Sequence, residues 1–248
     1  LHDLYRFFKL SVRRHEFRDI FKEKLDLHHI PALSNVLYSE DILFPIADFY
    51  LKKERWNEAI EVYEEMETIG ALQGRGAEYY QKLGYALQKN KKYAEAIDAY
   101  LKADTLKPDN IWNNRHLAIC YRLNRNYQAA LSYYKKVEEA TPEDTNVIFH
   151  IGSCLAELGQ YEEAANYFFK LDFIESNCIK AWRGIGWCSF ISRKYEQAMK
   201  YYEKIIEQKP LAIDYMNAGH VAWTMGDIQK AAALYGKSIT ANGNRERF

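Results

Sequence analysis

Alanine recurs at positions 59, 96, 130, 164, 198 and 231, at intervals of 37, 34, 34, 34 and 33 residues. A fixed period constrains a fold more than any local propensity does, because a repeated unit buries its apolar face only by stacking on its neighbours. Around each alanine the same residue types return in register. An aromatic follows four residues later, at Tyr63, Tyr100, Tyr134, Phe168, Tyr202 and Tyr235, one helical turn along the same face. A bulky residue stands three places before it, at Trp56, Tyr93, Tyr127, Tyr161, Tyr195 and Ile228.

A second apolar segment lies upstream of each alanine, with pairs such as Leu83-Gly84, Ile151-Gly152, Ile185-Gly186 and Ala218-Gly219. Glycine inside a helix costs roughly 1 kcal/mol relative to alanine. Its return at one position predicts a second backbone approaching too closely for a side chain. Each unit therefore reads as two packed helices. Lys89-Asn90-Lys91-Lys92, Asn124-Arg125-Asn126, Gly159-Gln160 and Gly226-Asp227 break the chain between them, and Pro108, Pro142 and Pro210 stop the second helix.

These residues resemble the tetratricopeptide repeat, whose pattern is W-x2-L-G-x2-Y, then A-x3-F, then P. The second unit reads Tyr80-x2-Leu83-Gly84-x2-Leu87, Ala96-x3-Tyr100 and Pro108. The fifth reads Trp182-x2-Ile185-Gly186-x2-Ser189, Ala198-x3-Tyr202 and Pro210. The third and fourth follow the pattern with Ala118 in place of the glycine and Ser176 in place of the proline respectively; the first and sixth match more loosely. The resemblance implies an all-α fold: a right-handed α-α superhelix, or solenoid, of about six helix-turn-helix units with an N-terminal helical cap. The units run over about 40–76, 77–110, 111–144, 145–178, 179–211 and 212–245.

Residues 1–39 stand outside the repeat. Leu4, Phe8, Val12, Phe17, Ile20, Phe21 and Leu25 form an imperfect helical stripe, expected to cap the stack or to be the remnant of a preceding segment. Seven basic residues between Arg6 and Lys24 against three acidic ones also fit a membrane-surface helix, although packing on the first repeat is the simpler fate. A chain beginning at Leu1 rather than Met reads as a fragment or processed form. At the other end Ala231-Ala232-Ala233-Leu234-Tyr235 carries little charge for a terminal helix, which suggests further chain, a partner or homo-oligomerisation there.

Equal numbers of basic and acidic residues, 34 each, remove the general attraction for polyanions and argue against a nucleic-acid partner. No stretch suits a membrane span. The glycine-bearing insertion from Gly70 to Gly76 lacks the spacing of a phosphate-binding loop. Cys120, Cys154 and Cys188 are 34 apart, so they mark one small buried position rather than a metal site, while Cys178 stands in a turn. With no disulfide required, the cytoplasm is the expected compartment. His116 and His150 share a repeat position, His28-His29 precede the stack, and none has a spaced carboxylate or cysteine that would make a catalytic set. No enzyme activity, cofactor or metal is expected.

The resemblance further implies that the first helices line a concave groove. By register, Trp112, Arg115, Arg122, Phe149, Lys180, Arg183, Trp187, Phe190 and Trp223 face it. Trp and Arg dominate interface energetics, so the expected function is a non-catalytic scaffold binding a peptide or helix with apolar and acidic side chains. The alternative is the sensor or docking arm of a larger enzyme, regulator or assembly protein. Arg183 and Trp187 are expected to be replaceable together without unfolding. Some members clamp a chaperone's C-terminal carboxylate; Arg115 and Lys180 match two cationic positions, but Ile119, His150 and Gly184 fill others, and chaperone-tail recognition is not implied.

The register itself is testable. Ala164→Phe should overpack a helix pair and cost roughly 1–3 kcal/mol in urea denaturation, whereas Glu163→Phe should change the midpoint little. Equal effects would undo the alignment.

Overall fold

Six helix pairs follow one another in a computed structural model that describes residues 40–68, 70 and 75–242. The stripe from Leu4 to Leu25, His28-His29 and residues 71–74 of the insertion lie outside the described residues. The pairs are α1 (Glu40–Lys52) with α2 (Trp56–Thr68), α3 (Gly76–Lys89) with α4 (Tyr93–Leu106), and α5 (Ile111–Leu123) with α6 (Tyr127–Ala140). Then come α7 (Thr145–Glu157) with α8 (Tyr161–Ile174), α9 (Ile179–Ile191) with α10 (Tyr195–Gln208), and α11 (Ala212–Thr224) with α12 (Ile228–Ala241). No strand occurs among the described residues. Gly76, read from sequence as the end of the insertion, is instead the first residue of α3.

Local chemistry sets these limits. Three second helices end two residues before proline, at Leu106, Ala140 and Gln208, because proline disfavours helical geometry in the residue before it. Ile174 ends α8 without one; there Asn177 takes a left-handed φ of 62° and turns the chain. Each tight turn inside a pair also holds one left-handed residue: Glu54, Lys91, Arg125, Gly159, Arg193 or Gly226. Side-chain caps satisfy orphan amides at several starts. Asn126 accepts from the Ala129 amide and Asp227 from the Lys230 amide, while Asp144 accepts from both Asn146 and Val147.

The helices form two compact bodies, one up to Asp109 and one from Asn110. In each, every helix packs on the next, and each body is an α-solenoid. In the second, the first helices α7, α9 and α11 also touch each other directly, α7 against α9 and α9 against α11. All six repeat alanines are fully buried. The glycines differ from expectation, since what fills the space beside them is an aromatic ring rather than a backbone. A Cβ on Gly84 would lie 2.9 Å from Tyr100, on Gly186 3.1 Å from Tyr202 and on Gly219 2.6 Å from Tyr235. Each is the aromatic four residues after the repeat alanine, lying flat against the first helix of its own pair.

The same rings make the joint to the following repeat. His150 of α7 stacks on Tyr134 of α6, with ring centroids 5.5 Å apart and an interplanar angle of 25°. Gly184 takes the equivalent place in α9, and a Cβ there would meet Phe168 of α8 at 2.5–2.7 Å. Phe168 is thus gripped between Gly152 and Gly184.

Gly184→Ala should destabilise the protein by roughly 1–3 kcal/mol, since the clash is with the base of a fixed ring. Gly236, helical with nothing within 4 Å of its missing Cβ, should gain about 1 kcal/mol on replacement by alanine. Chemical denaturation of the two variants checks this, and shifts of the same sign would be inconsistent with it. His150 makes a separate pH prediction. Burial, reinforced by Arg122 and Lys180, lowers its pKa from 6.5 to about 4. The unfolded state therefore binds the proton first, and its contribution to stability is lost as pH falls from 6.5 towards 4, by up to about 1.4 kcal/mol per pH unit. His150→Gln should show a shallower loss of stability over that window than the parent; parallel profiles would refute the assignment.

Candidate functional site

The nine residues singled out from sequence all lie on first helices of the second body. Trp112 and Arg115 start α5 and Arg122 ends it; Phe149 is on α7, Lys180, Arg183, Trp187 and Phe190 on α9, and Trp223 on α11. The three tryptophans remain 43%, 42% and 59% exposed. By contrast Trp182, at a core position of α9, is buried and donates its indole N–H to Asp172 Oδ1 at 2.6 Å. Phe149 and Phe190 are half-buried and pack on the core. Trp112 lies 4.0 Å from the His116 ring, and Trp187 lies 6.2 Å from Phe190.

The four cations are less available than their spacing implies. Arg115 pairs with Asp144 at 2.8 Å, and Lys180 with Glu175 at 3.4 Å. Arg122 Nε donates to the Tyr134 hydroxyl at 3.4 Å. Arg183 grips Asp214 with two parallel bonds, Nε to Oδ1 and Nη2 to Oδ2, each 2.7 Å. Asp214 is only 1% exposed and also accepts from the Leu211 amide at 2.8 Å. Removing the guanidinium would strand a buried carboxylate, a loss on the order of 2 kcal/mol. The expectation that Arg183 can be replaced without disturbing the fold is therefore corrected: it ties α9 to α11. Hydrogen bonding to Asp214 in turn raises the already high pKa of Arg183. For Asp144, burial alone would raise the carboxyl, but the Val147 amide and Arg115 outweigh it and hold the group below its ordinary value.

Four of the nine residues converge. Phe149, Lys180, Arg183 and Trp187 line a cleft of about 550 Å3 between α7, α8 and α9, within the usual range of ligand pockets, roughly 300–1,000 Å3. Trp112, Arg115, Arg122, Phe190 and Trp223 lie outside its lining. Ser153, Ala156 and Glu157 of α7, Tyr161 and Phe168 of α8, and Gly184 of α9 complete it. Sequence reasoning passed over Phe168 because it occupies a position read as core, and Gly184 because it figured only as a residue that fails to match a cationic position.

Other chemistry-bearing groups lie in the packing. Burial pushes the Cys120 thiol up to about 12 and those of Cys154 and Cys188 to about 11, which suppresses the reactive thiolate. Cys178, expected in a turn, is the residue just before α9 and is buried against Ile148, Leu171 and Ala181. No group of His, Cys, Asp and Glu among the described residues could hold a metal ion, and no helix there is long and apolar enough to cross a membrane.

Comparison with known proteins follows the repeats. Tetratricopeptide repeat models match residues 43–73, 77–110, 122–188, 179–210 and 215–245. A search of curated protein sequences finds no match. Among solved structures, a tetratricopeptide repeat protein from Parabacteroides merdae is similar, with a TM-score of 0.68 at 20% identity over 82% of this chain and 79% of that one. MamA aligns with a TM-score of 0.63 at 18% identity, over 71% of this chain and 98% of its own. YrrB, described as a TPR protein with an unusual peptide-binding site, gives 0.60 at 20% identity, over 73% and 92%. At such identities these likenesses speak for the fold alone; it is the repeat models, spread from residue 43 to 245, that show the chain to be a member of the tetratricopeptide repeat family.

Proposed function

We propose that the chain is a non-catalytic scaffold that holds an extended peptide or a helix of a partner protein along the first helices of its second body. One observation carries this reading. Three indoles, on Trp112, Trp187 and Trp223, stay about half exposed on three of those first helices, where burying them against a partner would gain large apolar area at little entropic cost. Phe149 and Phe190 extend the same surface. The description of YrrB as a peptide-binding repeat protein is consistent with such a mode.

The cations act differently from the way their number suggests. Arg115 and Arg183 are already neutralised by Asp144 and Asp214. Their remaining N–H groups suit a partner's backbone carbonyl better than a carboxylate. Their first task is to fix the spacing of successive helices, and with it the spacing of the rings.

The test is an affinity pull-down from the source cell, followed by binding of the captured protein to purified variants. Trp187→Ala with Trp223→Ala should weaken binding at least tenfold and leave the circular dichroism spectrum unchanged. Phe173→Ala, which trims a side chain 89% exposed on α8, should have no effect. A partner that binds the double variant normally would remove the first helices from consideration.

A further inference from the structure

In most repeats a polar contact guards the end of the aromatic ring. Tyr100 donates to Gln88 at 3.0 Å, and Tyr134 accepts from Arg122 at 3.4 Å. Gln88 and Arg122 share one register position, twelve residues before the tyrosine. At α7 and α8 both partners are apolar, because Ala156 and Phe168 stand there. The next joint is altered as well. Where His150 covers Tyr134, Gly184 brings no side chain of its own over Phe168, whose ring packs instead against Phe149 at 6.0 Å between centroids. Three departures from the repeat thus fall on one spot, and each removes a polar or bulky group. The cleft lined by Ala156, Phe168 and Gly184, with Phe149 and Trp187 as further walls, is where they meet.

We infer that this cleft receives one large apolar side chain, aromatic or branched aliphatic, from a peptide that carries a basic residue close to that anchor; the inference rests on the groove reading above. The anchor's character follows from the walls, since a buried polar side chain would find few partners among Phe149, Ala156, Phe168 and Trp187. The basic neighbour follows from charge complementarity at the rim. Lys180 and Arg183 are paired with Glu175 and Asp214. Glu157, exposed at the end of α7, has no ion pair among the described residues, which leaves the rim with an uncompensated negative charge.

Capped glycine-serine nonapeptides with a central Trp, Leu or Ala, and either Lys or Glu two residues away, provide the probe, followed by amide shifts of the labelled protein. Trp and Leu peptides should shift Ala156 and Gly184 while the Ala peptide does not, and the Lys series should bind at least threefold more tightly than the Glu series. Ala156→Phe should weaken the Trp peptide at least tenfold. The repeat accommodates that side chain, since Phe190 occupies the same position in α9. A second variant, Ala156→Gln with Phe168→Tyr, restores the polar pair of Gln88 and Tyr100 and should weaken binding likewise. Equal binding by the Ala peptide, a preference for Glu, or indifference to both variants overturns the pocket. Shifts confined to Trp112 and Trp223 would overturn it while leaving the groove intact, and no shifts on α5, α7, α9 or α11 would overturn both.

Discussion

An aromatic ring laid flat on a residue too small to resist it is the contact from which the rest of this structure follows. Tyr100 on Gly84, Tyr202 on Gly186 and Tyr235 on Gly219 repeat it, with Phe168 on Gly152 as its apolar form. The ring sets how closely the two helices of a pair approach. Because it also reaches the next first helix, as Tyr134 reaches His150, it sets the joint between repeats. Interiors this dense transmit a change of one methyl group to their neighbours, so a substitution at a single joint alters the wall of the cleft beside it.

Much of the architecture was legible because the alanine position admits no larger residue, and selection for smallness leaves a mark at a fixed period. All six alanines are wholly buried. Helix ends were legible for a similar reason, with proline, asparagine and aspartate acting through their own backbone chemistry. The reason for the glycines was not. A missing side chain says that something is close without saying what, and a ring contributed from sixteen residues away looks the same in sequence as a neighbouring backbone.

The candidate site was legible in its aromatic part and misleading in its charged part. Register alone placed the tryptophans on first helices. The partners of Arg115 and Arg183 lie 29 and 31 residues further on, across a joint, and only the joint's geometry reveals that Asp144 and Asp214 meet them. Other charges among the described residues also sit in local pairs, such as Lys170 with Glu138 and Lys230 with Glu203. Exposed pairs of this kind contribute about 0–1 kcal/mol each, and their larger effect is to leave little field with which to attract a charged partner from a distance.

The left-handed residues at Lys91, Arg125, Gly159 and Arg193 fall 34 residues apart at the same point of successive turns. A cut at one such turn and a cut at the next expose two chain ends with the same backbone conformation. Genetic duplication or excision between them would leave no seam in the main chain, so the number of repeats, and hence the length of the surface offered to a partner, can vary in evolution without a new fold having to be found.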